Sequence, residues 1–223
     1  MGPTRIVLFD LDGTLADTAG DLVAAINGCL RDRGLPERPL AELRPWISHG
    51  ARGMIDRTFG LGPGDAGYET LRSEFVRRYE SRLCCDTRLF PGIPDLLSAI
   101  EDGGMRWGIV TNKIARLTDP LVEQLGLAKR AACVVSGDTA VRPKPDPAPI
   151  HFALGQCGLP PAAGMYVGDD RRDIVAGRAA GVRTVAVSYG YSVEMDNIDE
   201  WQADHVIDAP LRLLDLLAGA PVA

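Results

Sequence analysis

Apolar runs rich in β-branched residues recur at 5–9, 106–110, 133–136, 165–167 and 184–187. Each is too short for a helix and lacks a polar face, the pattern of a strand covered on both sides. Residues 94–101, 116–125, 147–156 and 173–180 instead carry apolar side chains at helical spacing. Strands alternating with helices predict an α/β fold, a doubly wound Rossmann-like core with a parallel sheet between two helical layers. The alternation stops over 17–82, where helical patterns and turns occur without a convincing strand. A helix over 19–33 that closes at Gly34, ahead of Pro36 and Pro39, and a second over 68–82 make this stretch a small all-helical insert after the first strand. The expected division is therefore a core of 1–16 and 84–223 around an inserted unit of 17–83. The tail 219–223 has no pattern and is expected to be disordered.

Composition narrows the classes of function. The 30 acidic residues outnumber 24 basic ones, and the basic ones are scattered rather than striped, which argues against a nucleic-acid partner. No apolar run approaches the roughly 18 residues that a membrane helix needs. The stretch at 6–9 meets Asp10 and Asp12 at once, too soon for the core of an export signal. Five cysteines, Cys29, Cys84, Cys85, Cys133 and Cys157, form neither an even framework nor a metal-ligand spacing. Reduced thiols and a cytoplasmic location are the expectation.

In a sheet of this kind ligands bind beyond the carboxyl ends of the strands. The first run is followed by Asp10-Leu11-Asp12-Gly13-Thr14-Leu15, two carboxylates two residues apart that project to one side if the strand geometry continues. Thr111 and Asn112 follow the second. The third leads to Arg142-Pro143-Lys144-Pro145-Asp146-Pro147, where prolines stiffen the presentation of one ammonium group. The fourth is followed by Gly168-Asp169-Asp170 and then Asp173. Any one of these pieces is ordinary turn or cap chemistry. Four in order, each at a strand end, define a candidate site.

With DLDGTL at 10–15, VTN at 110–112, KPDP from Lys144 and VGDDxxD from Val167, the chain resembles the haloacid-dehalogenase-like superfamily over essentially its whole length. The helical insert resembles that superfamily's small helical cap. Within it, the chain is similar to phosphoglycolate phosphatases and to related bacterial phosphatases of N-acetylmuramate 6-phosphate. The second likeness rests on Ile47-Ser48-His49-Gly50-Ala51-Arg52, on 107–113 and on Tyr189-Gly190-Tyr191. The resemblance implies a magnesium-dependent phosphatase, monomer or homodimer, acting on a small phosphorylated metabolite through an aspartyl phosphate on Asp10. A phosphate dianion repels a carboxylate nucleophile, so such a site must place counter-charge beforehand.

By motif position, Asp12 would carry the proton, and Lys144 would balance the charge of Asp10 and the phosphoryl oxygens. Thr111 and backbone N–H groups near Asn112 would bind those oxygens. Asp10, the backbone carbonyl of Asp12 and Asp169 would hold Mg2+, with Asp173 behind them orienting bound water or Lys144. Asp170 reads as turn structure, and Arg171 and Arg172 as solvent-facing. The cap would contact the leaving group through Ser48, His49 and Arg52, the last matching the carboxylate that both candidate substrates carry.

Other chemistries fit less well. A dehalogenase needs neither a metal nor an acid at the position of Asp12. A sugar-phosphate mutase would use the same residues and differ only in its product. A phospho-acceptor signalling domain or a catalytically dead binding module would not require the insert, and none of the four motifs has lost its charged residue.

Overall fold

Along β1 (Ile6–Phe9) the side chains alternate between two buried clusters, Val7 and Phe9 entering one and Ile6 and Leu8 the other. That is the period-two signature of a strand buried on both faces, and burying each such side chain contributes roughly 1.5–3 kcal/mol. Residue 4–192 and 195–219 are described by the structure, a computed structural model. From residue 220 onward the tail expected to be disordered lies outside the described residues.

The insert follows at once, framed by a short antiparallel pair of β2 (Ala16–Asp17) and β3 (Arg88–Leu89). Between them come α1 (Ala19–Arg31), α2 (Leu40–Leu43), α3 (Gly50–Phe59) and α4 (Tyr68–Glu80). The chain then runs α5 (Ile93–Asp102), β4 (Arg106–Val110), α6 (Ala115–Gln124), β5 (Val134–Val135) and α7 (Ala148–Gln156). It ends with β6 (Gly164–Gly168), α8 (Arg171–Ala180), β7 (Arg183–Val187), β8 (His205–Ile207) and α9 (Leu213–Ala218). Six strands pair in the order β5-β4-β1-β6-β7-β8, every neighbour parallel. The strand order reverses beside β1, so the ends of β1, β4 and β6 open on one crevice, where doubly wound sheets bind ligands. The edge strand β8 and the β2–β3 pair were not foreseen. Only Ile207 of β8 is buried, and two-residue strands carry no period to read.

Packing of α1 against α4 gives the insert its own buried face, with Val23, Ile26, Leu71, Phe75 and Tyr79 inside. At its rim Glu74 of α4 accepts from Arg33 (2.8 Å) and from Arg78 (3.0 Å). These bonds, Arg33's first, overcome the upward push of burial and lower the Glu74 carboxyl from 4.5 to about 2. A depressed folded value means that the stabilisation is whole above pH 4.5 and is lost as the pH falls from there toward 2. Amide exchange in α1 and α4 should therefore accelerate over that interval, and Glu74→Gln should flatten the dependence. Identical profiles for the two proteins would remove Glu74 from this role.

Candidate active site

Asp10 leaves the end of β1 with its backbone N–H donating to the carbonyl of Val167 on β6 (2.9 Å). Its carboxylate Oδ1 lies 2.9 Å from Nζ of Lys144, a side chain only 2 % exposed. The three N–H groups of that ammonium are already committed, to the carbonyl of Val110 (2.9 Å), the hydroxyl of Tyr166 (2.7 Å) and Oδ1 of Asp173 (2.7 Å). Asp10 Oδ1 thus feels the charge of Lys144 without receiving a proton from it, and it is buried with no hydrogen-bond partner. An ammonium has three donors, so a fourth acceptor gets field only. That leaves the lone pairs of Asp10 free for an electrophile.

Lys144 is fixed from both sides. The Asn112 amide donates to the Lys144 carbonyl and accepts from the Lys144 N–H, both at 2.9 Å. Both ends of the amide are thereby spent on the Lys144 loop, which leaves the backbone near Asn112, and not its side chain, for the substrate role expected there. Burial opposes the charge on Lys144, but Asp10 and Asp173 outweigh it and hold the ammonium above its ordinary value. Asp173 is pushed up by its own burial, with Lys144 pulling the other way. It also accepts from the N–H of Asp170 (3.1 Å), and Asp170 accepts in turn from the N–H of Arg172 (2.8 Å). The two residues form a capping box at the start of α8, so Asp170 is turn structure as expected.

Asp169 is wholly buried at the end of β6. Burial first, and then the charges of Asp10 and Asp173, raise its carboxyl well above the usual range. Thr14 donates to its Oδ1 (3.3 Å) and the N–H of Tyr191 to its Oδ2 (2.8 Å). Two glycines make room for it: a Cβ on Gly13 would stand 2.3 Å from Asp169 Oδ2, and one on Gly190 2.2 Å from Asp169 Cβ. Gly13 also has φ +84°, a conformation that L side chains rarely adopt. Oxygens of Asp10, Asp169 and Asp173 all lie within 4.8 Å of one another. Three carboxylates this close, one without a hydrogen bond to its Oδ1 and the other two buried, repel unless a cation or protons intervene, and hard oxygen donors suit Mg2+. With Asp173 engaged by Lys144, Asp10 and Asp169 are the better placed ligands.

Asp12 stands beside this cluster, its Oδ1 accepting from Thr18 (2.6 Å) and from Nζ of Lys113 (2.9 Å). Thr111 is buried at the end of β4, and its hydroxyl accepts from the N–H of Lys113 (3.2 Å). Asp10, Asp12, Thr111, Asn112, Lys144 and Asp173 share the lining of one cavity of about 310 Å³, roofed by the insert. Ser48 and His49 also line it, although His49 is an exposed residue tilted against Trp46 at 5.7 Å. Arg52, expected to reach a substrate carboxylate, is exposed on α3 and does not line the cavity. The buried face of that helix is Gly53, Met54, Ile55 and Thr58, and Arg52 falls outside it.

Two basic residues take places in the site that the sequence reading did not give them. Arg172, expected in solvent, lines the cavity. Its guanidinium pairs with both oxygens of Asp170 (2.9 Å each) and donates to the backbone carbonyl of Ser48 in the insert. An acidic N-cap two residues before an arginine was the available signal. Lys113 directly follows the Thr-Asn pair, and only its side-chain partners reveal its place. Arg171 is exposed, as expected.

Comparison with known proteins follows the same lines. The family model for haloacid dehalogenase-like hydrolases matches residues 7–187. An N-acetylmuramic acid 6-phosphate phosphatase of Pseudomonas putida is 45% identical over 216 residues, covering 97% of each chain. A phosphoglycolate phosphatase of Xanthomonas campestris pv. campestris is 44% identical over 209 residues, 94% of each. Among solved structures, a predicted phosphoglycolate phosphatase from Haemophilus somnus 129PT superposes with a TM-score of 0.85 at 28% identity, over 97% of this chain and 99% of that one.

Proposed function

The chain belongs to the haloacid dehalogenase-like hydrolases and is a phosphatase, and on that premise we propose that it hydrolyses a phosphate monoester with Mg2+ through an aspartyl phosphate on Asp10. One observation carries this reading: Asp10 Oδ1 lies against the charge of Lys144 yet accepts no hydrogen bond. A carboxylate so placed is neutralised enough to approach a dianion and unencumbered enough to attack it. In the first half of the reaction a lone pair of Asp10 forms the new bond to phosphorus while the bond to the ester oxygen breaks. Asp12 delivers the proton that the departing alkoxide requires, and in the second half it withdraws one from the water that attacks the acyl phosphate, so that the bond from phosphorus to Asp10 breaks, orthophosphate leaves and the carboxylate is restored. Thr111 and the backbone N–H of Asn112 hold the phosphoryl oxygens. Bound between Asp10, the Asp12 carbonyl and Asp169, Mg2+ would supply Lewis-acid neutralisation of the phosphoryl charge.

Both relatives' names describe phosphate monoesters, one a very small acid and the other an amino sugar bearing a lactyl ether. A cavity near 310 Å³ lies in the range of sites for ligands of some size, about 300–1,000 Å³, and suits the sugar better. The absence of a helix long and apolar enough to cross a membrane, among the described residues, and five free cysteines agree with a cytoplasmic place for this activity.

A phosphate-release panel with both esters, with and without Mg2+, tests the proposal. Orthophosphate should appear only with the metal, and kcat/KM should favour the sugar phosphate by at least about tenfold. No release from either ester would overturn the reading; release of a rearranged sugar phosphate in place of orthophosphate would favour a mutase.

A further inference from the structure

The cavity contains polar groups that the reaction just described does not use. Lys113 is 8% exposed at its side chain, and its ammonium donates to Asp12 (2.9 Å) while facing the ring of Tyr79 at 4.7 Å. Asp12 is the one acceptor it meets in good geometry among the described residues, which leaves donor capacity on the ammonium. Tyr79, on α4 of the insert, is 2% exposed, and its hydroxyl is buried without a hydrogen-bond partner. Ser48 Oγ, on the roof of the same cavity, is likewise buried and unpartnered. Native proteins rarely leave such groups unsatisfied, and two buried hydroxyls beside an ammonium with donor capacity to spare, around one cavity, point to a ligand that meets them.

Their position says which part of the ligand they meet. The phosphoryl group belongs beside Asp10, Thr111 and Lys144, and Asp12 must reach the ester oxygen. Lys113 bridges Asp12 and Tyr79 of the insert, which puts it where the group leaving from Asp12 meets the roof of the cavity. The free donors are a cation, a phenol that burial holds up at about 12 and hence keeps protonated, and a hydroxyl. The walls around them include Leu22, Ile47, Met54, Phe75 and Ile114. Low-dielectric walls strengthen any charge pairing made between them. A set of donors with one positive charge calls for an anionic acceptor of two or more oxygens.

We propose that Lys113, assisted by the Tyr79 hydroxyl, is the specificity residue that binds a carboxylate carried by the leaving group. It thereby takes the role expected of Arg52, which is exposed on α3. The inference rests on the phosphatase reading above and adds the recognition of one substituent to it.

The test compares two esters that differ only in this substituent, N-acetylmuramate 6-phosphate and N-acetylglucosamine 6-phosphate, which lacks the lactyl ether. For the unmodified protein kcat/KM should favour the acid by about 10- to 100-fold, the loss expected when a buried charge-assisted hydrogen bond is removed. In Lys113→Met the preference should collapse toward unity whatever happens to the absolute rates, mostly through KM for the acid. Lys113→Arg should restore part of it, and Tyr79→Phe should reduce it severalfold while the protein stays folded. A preference that survives in both Lys113→Met and Tyr79→Phe, or that the unmodified protein never shows, would overturn the assignment. If Lys113→Met does not fold, Tyr79→Phe decides alone. Absence of phosphate release from both esters in the unmodified protein would instead count against the phosphatase reading itself.

Discussion

Asp10→Asn is expected to lower turnover by at least about 10⁴-fold, a barrier increase near 5.5 kcal/mol, without loss of stability. The amide keeps the shape of the side chain but is a far poorer nucleophile. Its effect on folding should have the opposite sign to its effect on rate. Asp10 is one of three carboxylates whose oxygens crowd within 4.8 Å, and it helps to raise the carboxyls of Asp169 and Asp173. Removing its charge relieves that repulsion, whereas Lys144 keeps Asp173 as a partner at 2.7 Å. In metal-free buffer the variant should melt no lower than the unmodified protein. A melting temperature several degrees lower would mean that Asp10 is chiefly structural.

Lys144→Met carries the largest expected change in stability. The substitution removes a buried ammonium that faces two carboxylates at 2.9 and 2.7 Å and leaves both without counter-charge. Breaking a buried pair from one side costs about 3–5 kcal/mol, because the stranded ion stays desolvated. Activity should fall with it. Asp173 already sits above the ordinary range through burial, and loss of the cation raises it further. The folded state then binds a proton more tightly than the unfolded state, so stability should recover as the pH falls from neutrality. The double variant Lys144→Met/Asp173→Asn should regain most of the stability at neutral pH and none of the activity, as urea unfolding beside phosphate release would show. A single variant as stable as the parent would contradict the ion-pair geometry.

How much of this could be read beforehand depended on whether a feature is written locally. The strands β1, β4, β6 and β7 are buried on both faces and betray themselves as apolar runs, and the ends of the first three deliver Asp10, Asp12, Thr111 and Asp169 in order. Lys144 was legible for a similar reason, between prolines in a loop that follows a strand. Roles that depend on which way a side chain turns were not. Asn112 faces the Lys144 backbone rather than the ligand, because two complementary peptide groups lie within 2.9 Å of its amide. Arg172 turns inward because the Asp170 carboxylate captures its guanidinium at the first turn of α8. Arg52 lies outside because the apolar positions of α3 turn a different face to the interior. Lys113 and Tyr79 come from elements far apart in the chain, and only the closed tertiary structure brings one over the other.

Chemical trapping of the covalent intermediate tests the central claim most directly. Protein quenched in acid during turnover with a phosphate ester and Mg2+, then reduced with borohydride, should yield a peptide in which residue 10 has become homoserine, the reduction product of an aspartyl phosphate. The same treatment of Asp10→Asn should leave no such product. Homoserine at another position, or none at residue 10 while orthophosphate is being released, would contradict the account.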